Sequence, residues 1–288
     1  MSMTKRRTGG EIIFLGRTGN NIGDNFCSPY LYFRQHFPRS RYLEIHLGNW
    51  ETRRLRNKLL LSPILMRSRL LIVGGGGFIG LDFFKEDLKY WSSAPFCPKI
   101  LWGPGHNTTN ILAVDSENPS MSDYGQLKRF DKVGIRDWGV GYNWVPCSSC
   151  MNPEFSKPVS ENAGIVAALH GDTRTSATFI DALVGPAKDP VDIIFNDGSP
   201  EPYFDKLRNA KAVVTNSYHA AYWATLFGKR VAVVGGGSKV RMLKHRPALA
   251  SVDDWIQRLE EAECYPHALE ECRDRNLEYC NEIVSTYL

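Results

Sequence analysis

The sequence lacks any apolar run approaching the roughly 20 residues that a membrane-spanning helix needs. Its opening, MSMTKRRTGG, also lacks the apolar core of a secretory signal peptide. Basic and acidic residues are nearly balanced, 35 against 31, and a net charge of +4 is too small to indicate a partner such as nucleic acid. We therefore expect a cytoplasmic protein, and its small basic excess suits anionic substrates or contact with a membrane surface.

Cysteines are too few and too irregularly spaced for a disulfide framework. There are seven, an odd number, which predicts reduced thiols. Cys147 and Cys150 form a single CxxC, without a second CxxC or paired histidines at zinc spacing. We expect an ordinary loop there rather than a metal or redox site.

Apolar strands alternate with helical segments along most of the 288 residues, 43% of which are hydrophobic. This alternation predicts an α/β protein with parallel sheets, built as two doubly wound halves that face a central cleft. Residues 26–37 are predicted as one helix, and the C-terminal helices are expected to pack on the sheet edges. The predicted organisation is a flexible basic N-terminus (1–10), an N-terminal Rossmann-like domain (11–155), a linker (156–162), a C-terminal Rossmann-like domain (163–250) and C-terminal helices (251–288).

The stretch 211–237 predicts a βαβ unit with a histidine at its ligand-facing end. A valine-rich strand leads into the turn Thr215–Ser217, and Tyr218 and His219 open an apolar helix. In open α/β sheets, ligands bind where strands end and helices begin. His219 is therefore a candidate proton-transfer group, and the helix amino end should favour its neutral form, which suits a base.

Two loops that follow predicted strands are rich in glycine. The four glycines 74–77 let backbone N–H groups approach an anion, although they match neither GxGxxG nor a Walker loop. A tight turn between strand and helix is the alternative. Residues 21–24 (NIGD) follow the first strand, and Asp24 either caps a helix or contacts sugar hydroxyls.

Charged and histidine side chains stand at other strand ends. Arg136, followed by Asp137, could bind a carboxylate or phosphate through two parallel hydrogen bonds, or the two residues could form a local ion pair. His106 and His170 also end predicted strands, so each faces the cleft unless it is a surface or core histidine.

Each of two basic segments is either a solvated surface or a binding surface. Lys239, Arg241 and Lys244 lie in a loop beyond a strand and could hold an anionic donor, or they form a solvated surface. The segment 34–69 combines arginines with LLL and ILM, which suits peripheral contact with anionic lipid if it is not simply a solvated helix face.

Four motifs together give the chain a family resemblance. They are residues 21–24 (NIGD), 74–78 (GGGGF), 136–137 (RD) and 215–220 (TNSYHA). From about residue 11 to about residue 246, the chain resembles the polysaccharide pyruvyl transferase family. The resemblance implies a GT-B-like fold and transfer of pyruvate from phosphoenolpyruvate to two hydroxyls of a sugar in an exopolysaccharide or its lipid-linked precursor. The implied reaction requires no cofactor. Many members of the family have arginine at the position of Ser217 in this chain.

Residue roles follow from the resemblance together with the strand-end positions. The expected catalytic residues are His219 and Asp24, and the expected donor-binding residues are Arg136, Asn216, Ser217, Tyr218, Lys239, Arg241 and Lys244. The substrate loops are Asn21, Gly23, Gly75, Gly76 and Gly77, with His106 and His170 as further cleft residues and no metal ligand. The N-terminal half is the expected acceptor side. Two alternatives stay open, a GT-B glycosyltransferase that uses a nucleotide sugar and a non-catalytic carbohydrate-binding protein.

Overall fold

The computed structural model describes residues 10–19, 21–45, 55, 62–93, 97–107, 119–160, 163–235 and 237–288. Its strands are β1 (Glu11–Gly16), β2 (Ser40–Glu44), β3 (Ser68–Gly74), β4 (Gly77–Ile79), β5 (Lys99–Trp102), β6 (Gly105–His106), β7 (Lys132–Ile135), β8 (Asn143–Trp144), β9 (Ala163–Leu169), β10 (Val191–Phe195), β11 (Ala210–Thr215), β12 (Arg230–Val234) and β13 (Ala248–Ala250). Its α-helices are α1 (Ile22–Phe26), α2 (Tyr30–Phe33), α3 (Ser62–Arg67), α4 (Asp82–Ser92), α5 (Ala177–Val184), α6 (Pro200–Asn209), α7 (Tyr218–Leu226), α8 (Gly237–Arg241), α9 (Trp255–Glu261) and α10 (Ala268–Tyr287).

The strands form two large parallel sheets, each doubly wound, and β4 and β6 pair in a separate two-stranded sheet. The first has the order β2-β1-β3-β5-β7-β8, and the second has the order β10-β9-β11-β12-β13. In both sheets the strand order reverses beside the first strand, between β1 and β3 and between β9 and β11. These are the switch points at which such folds bind ligands. The predicted α/β fold class with two doubly wound halves is confirmed.

The central strands are buried on both faces, which explains their continuous apolar sequences. β3 reads SRLLIVG, and Leu70, Leu71, Ile72 and Val73 are all 0% exposed. Helices therefore cover both sides of the sheet, as parallel sheets require. Burial of this kind contributes roughly 25 cal/mol per Å² of apolar surface, and it fixes the strand ends that carry the site.

The predicted single helix over residues 26–37 is wrong. The structure has α1 ending at Phe26, α2 beginning at Tyr30 and a 3₁₀ turn over Arg34–His36. Pro29 interrupts the helical segment, because proline lacks the backbone N–H and restricts the residue before it. The helix also begins earlier than predicted, since the Asn21 side chain accepts a hydrogen bond from the Gly23 backbone N–H at 2.8 Å. Asn21, rather than Asp24, is therefore the helix cap.

The C-terminal helix α10 packs on a face of the first sheet, so the predicted packing of the C-terminal helices on the sheet edges is wrong for this helix. The Tyr279 hydroxyl donates to the Leu101 carbonyl oxygen at 2.7 Å, and Ile283 joins the same core cluster as Trp102. The last helix therefore covers strands of the first half. The boundaries at 155 and 163 stay predictions, and residues 1–9 and the segment 51–61, apart from Leu55, lie outside the described residues.

Asn276 is a buried polar residue at the contact between α10 and the first sheet. Its side chain is 0% exposed, accepts from Trp102 Nε1 at 2.9 Å and donates to the Pro146 carbonyl at 3.2 Å. Asn276→Leu would leave both partners buried and unpaired, so we expect the free energy of unfolding to fall by about 3 kcal/mol. Urea denaturation measures this loss. The exposed Asn281 of the same helix supplies the control, and equal effects of Asn276→Leu and Asn281→Leu would contradict the prediction.

Candidate active site in the cleft between the sheets

The carboxyl ends of the two sheets meet at their switch points. The backbone N–H of Ile22, the first residue of α1, donates to the carbonyl oxygen of Asn196, directly beyond β10, at 2.8 Å. Asn21 Nδ2 and His170 Nε2 are 3.3 Å apart. Residues predicted independently from the two halves of the sequence are thus brought into direct contact.

His219 lies in the first turn of α7 and is 6% exposed. Its Nε2 is 3.8 Å from Cys147 Sγ, and a Cβ added to Gly23 would lie 1.9 Å from its Nδ1. Only glycine therefore fits at position 23. Burial, together with the positive charges of Arg136 and Lys239, lowers the pKa of His219 well below its ordinary value. The imidazole is neutral at pH 7 and can accept a proton.

Arg136 is a buried cation that forms no close ion pair among the described residues. Burial lowers the pKa of its guanidinium, but neighbouring groups that include Asp137 outweigh this effect and raise it. It is 3% exposed, and its guanidinium carbon lies 3.7 Å from the centroid of the Tyr218 ring, a cation–π contact. Among the residues that the structure describes, neither its Nε nor its Nη1 has a hydrogen-bond partner. The alternative of a local ion pair is not realised, since Asp137 instead accepts from the His106 N–H at 2.6 Å and from the Tyr124 hydroxyl at 2.8 Å.

The loop of glycines 74–77 supplies the surface opposite this arginine. Gly75 and Gly76 have φ of +78° and +88°, in the left-handed region that favours glycine. A Cβ at Gly75 would also lie 2.1 Å from the Cys27 carbonyl oxygen, and one at Gly77 would lie 3.0 Å from Arg136 Nη2. The loop is a tight turn, and it also brings backbone close to the cation.

On the opposite side of the cleft, Asn216 and Ser217 fix the turn before α7. Asn216 Oδ1 accepts from the His170 backbone N–H at 2.8 Å, and Ser217 Oγ accepts from Asn196 Nδ2 at 3.2 Å. Asn216 Nδ2 is buried without a hydrogen-bond partner in the described part of the chain. The cleft therefore has buried donors on both Arg136 and Asn216 that no group among the described residues satisfies.

Lys239, in α8, is the second cation of the cleft. Burial lowers its pKa to about 8, and the neighbouring charge of Arg136 acts in the same direction, while Asp24 acts against them. Arg17 Nη2 lies 3.6 Å from Asp24 Oδ2. We refer to Arg17, Arg136 and Lys239 as the cation cluster, and such a cluster can hold a ligand with more than one negative charge.

The structure places three other predicted residues outside this cluster. His106 links the two halves, with Nδ1 2.6 Å from Ser238 Oγ and Nε2 3.1 Å from Asp123 Oδ2. Lys244 pairs with Glu271 beneath two tryptophans, and Arg241 lines a separate cavity.

Sequence reasoning missed Arg17, Asn196 and Cys147 as members of the site. Arg17 directly follows β1 and Asn196 directly follows β10, so the argument that located Asn216 could have found both. Cys147 gave no comparable signal, because its contact with His219 spans 72 positions. Cys147 and Cys150 are free, buried thiols in and beside the 3₁₀ turn Ser148–Met151, and burial raises the pKa of each.

The described residues contain neither a candidate metal site nor a membrane-spanning helix. Within those ranges, no three His, Cys, Asp or Glu side chains are grouped so that they could hold a metal ion. No helix in the same ranges has the length and apolar character needed to cross a membrane.

The two facing sheets define a protein with a GT-B-like fold and a cation-lined cleft. A UDP-GlcNAc 2-epimerase from Methanocaldococcus jannaschii has a similar structure, with a TM-score of 0.53, 10% identity and coverage of 93% of this chain and 99% of that one. Anabaena Alr3699/HepE, solved with UDP and glucose, is similar at a TM-score of 0.47, with 12% identity and coverage of 96% of this chain and 99% of its own. A comparison with curated proteins gave no match.

Residues 159–238 match the family model described as polysaccharide pyruvyl transferase. This confirms the resemblance over residues 159–238 and supports a transferase. The matched stretch includes Asn216, Ser217, Tyr218 and His219. Motifs 21–24, 74–78 and 136–137 lie outside the match, so their assignment rests on the geometry of the cleft.

Proposed function

We propose that the protein transfers the pyruvate group of phosphoenolpyruvate to two hydroxyls of a sugar and forms a cyclic ketal. The observation that carries the proposal is the buried guanidinium of Arg136 beside Tyr218 and His219, whose Nε and Nη1 have no hydrogen-bond partner in the described part of the chain. A buried cation without an anion is costly, so a site of this kind is completed by an anionic ligand. Phosphoenolpyruvate carries both a carboxylate and a phosphate. The match to a pyruvyl transferase family over 159–238 supports the same donor.

The chemistry balances without a further reagent. Two sugar oxygens form bonds to C2 of phosphoenolpyruvate, the bond between C2 and the phosphate oxygen breaks, and the methylene carbon gains a proton. The two hydroxyls supply two protons, of which one goes to the carbon and the other leaves with phosphate. His219, neutral at pH 7, receives a hydroxyl proton first and can return it to carbon. Asp24 is a candidate partner for a sugar hydroxyl.

We further propose that the acceptor belongs to an exopolysaccharide or its lipid-linked precursor and that the reaction takes place in the cytoplasm at the inner face of the membrane. The basic segment 34–69 supports this location through its composition, although most of residues 46–61 lie outside the described structure. Flotation with liposomes of anionic lipid tests the membrane contact, and failure to bind at low salt would remove it.

The donor identifies the reaction class. Phosphoenolpyruvate should raise the melting temperature of the protein, because a ligand that binds the folded state stabilises it. Phosphate should be released from phosphoenolpyruvate only when a sugar acceptor is present. UDP-glucose and UDP-N-acetylglucosamine serve as the comparison. Stabilisation by a UDP-sugar alone would instead favour a nucleotide-sugar glycosyltransferase. Sugar binding without turnover of any donor would favour a non-catalytic carbohydrate-binding protein.

Lys239 predicts the pH dependence of donor binding. Its pKa of about 8 means that the ammonium is charged below this pH and becomes neutral above it. Phosphoenolpyruvate affinity should therefore fall between pH 7 and pH 9, by up to about tenfold per pH unit above the pKa. Isothermal titration calorimetry at pH 7, 8 and 9 measures the change. Lys239→Met should flatten the profile, and an equally steep profile in that variant would contradict the role of Lys239.

A further inference from the structure

A second surface outside the cation cluster has the features of a ligand site. Trp138 is 41% exposed, although tryptophan is a large apolar side chain, and its ring meets that of Trp144 edge to face at 5.5 Å. A cavity of about 550 Å³ is lined by both tryptophans with Lys244, Glu271 and Arg275. We call these five residues the Trp138 groove. Its volume lies within the range of small-molecule sites.

Polar groups in the Trp138 groove are held in fixed positions. Lys244 Nζ lies 4.6 Å from the ring centroids of both Trp138 and Trp144 and also pairs with Glu271. Arg275 Nη2 donates to Asn143 Oδ1 at 2.6 Å. The groove thus offers an aromatic platform beside two cationic donors, Lys244 and Arg275, and one carboxylate acceptor, Glu271. A sugar presents apolar C–H groups on its ring face and hydroxyls around its edge, each of which can both donate and accept, and this pattern matches the groove.

The groove lies close to the proposed reaction centre. Trp138 is two residues beyond Arg136, so their Cα atoms are at most about 8 Å apart. The Trp138 backbone N–H also donates to the Met242 carbonyl at 2.8 Å, which ties the groove to both halves of the protein. A second cavity of about 500 Å³, lined by Trp138, Arg241 and Arg246, continues the same surface. A chain of sugars can therefore extend from the cation cluster across Trp138.

We propose that the Trp138 groove binds an oligosaccharide, the part of the acceptor chain next to the sugar that is modified. Its role as an acceptor site rests on the proposed function, whereas oligosaccharide binding itself does not require phosphoenolpyruvate. Glu271 argues against a phosphate group in this groove, because its carboxylate would repel it. Lys244 accordingly serves the oligosaccharide rather than the donor.

The test is binding of defined tetrasaccharides to the full-length protein without donor. Cellotetraose, β-1,4-galactotetraose, chitotetraose and tetragalacturonate are titrated while tryptophan fluorescence is followed, with the matching monosaccharides for comparison. At least one tetrasaccharide should bind at least about tenfold more tightly than its monosaccharide. Trp138→Ala should lose this preference and Trp138→Phe should retain most of it. Lack of saturable binding by all four would overturn the proposal.

Controls separate this groove from the donor site and from the fold. Met121, 62% exposed, supplies a matched apolar surface substitution, so Met121→Ala should bind the tetrasaccharide as the unaltered protein does. Lys244→Met should weaken binding of the tetrasaccharide but leave stabilisation of the protein by phosphoenolpyruvate unchanged. If Lys244→Met instead weakened binding of phosphoenolpyruvate, Lys244 would belong to the donor-substrate site and this assignment would be wrong. If phosphoenolpyruvate failed to bind any variant while the tetrasaccharide still bound, only the proposed function would fail.

Discussion

Arg136→Met is expected to weaken phosphoenolpyruvate binding by about 100-fold or more. Loss of a buried charge from a desolvated contact with an anion costs about 2–5 kcal/mol, of which 100-fold corresponds to about 2.7 kcal/mol. The free protein should lose little stability, since the lost cation–π contact with Tyr218 is offset by removal of a buried guanidinium whose Nε and Nη1 are unpartnered among the described residues. Calorimetry with phosphoenolpyruvate and urea denaturation without it measure the two effects.

The matched control is Arg208, another buried arginine with a purely structural environment. Its exposed fraction is 8%, and it pairs with Glu154 at 3.1 Å and with Asp205. Arg208→Met should lower the free energy of unfolding by about 2 kcal/mol and leave donor affinity unchanged. If Arg136→Met destabilised the free protein as Arg208→Met does and bound phosphoenolpyruvate normally, Arg136 would be a structural residue.

The fold could be predicted wherever a local pattern determined it. Strands such as β3 and β11 have largely apolar sequences, and the sequence pattern predicted the turn with Asn216 and His219 where β11 ends and α7 begins. The error at residues 26–37 came from aromatic spacing that continues across Pro29, although the backbone cannot remain helical there. Local pattern also gave no indication that α10 returns to a sheet face, because that docking depends on Asn276 reaching Trp102 across 174 positions.

The site was less predictable because its chemistry depends on distant partners. Arg136 and Lys244 have similar sequence signals, since each is a basic residue near a strand end. Only the structure separates them, by leaving Arg136 without a close ion pair among the described residues and placing Lys244 against Glu271. The contact between Cys147 and His219 could not be predicted either, because the two residues are 72 positions apart in the sequence.

His219→Gln is expected to lower the rate of pyruvate transfer by about 10²- to 10⁴-fold, the contribution of one general acid or base. The neutral imidazole is the proton acceptor in the proposed reaction, and glutamine keeps hydrogen-bonding capacity without titrating. Phosphate release at saturating phosphoenolpyruvate measures the rate. His219→Ala should be equally inactive yet folded. The exposed His36 provides the control, and His36→Ala should retain full activity.

Since His219 is packed between Gly23 and Cys147, its role in catalysis must be distinguished from a role in packing. The folded-state pKa lies well below the ordinary 6.5, so below pH 6.5 the unfolded chain binds a proton that the folded protein does not, and stability falls as the pH falls. His219→Gln should make this fall less steep by about 1.4 kcal/mol per pH unit. Gly23→Ala, whose Cβ would displace the imidazole, should lose activity although the histidine remains. Near-normal turnover in His219→Gln, together with an altered pH dependence of stability, would make His219 a buried structural histidine and leave the proton transfer to another cleft residue.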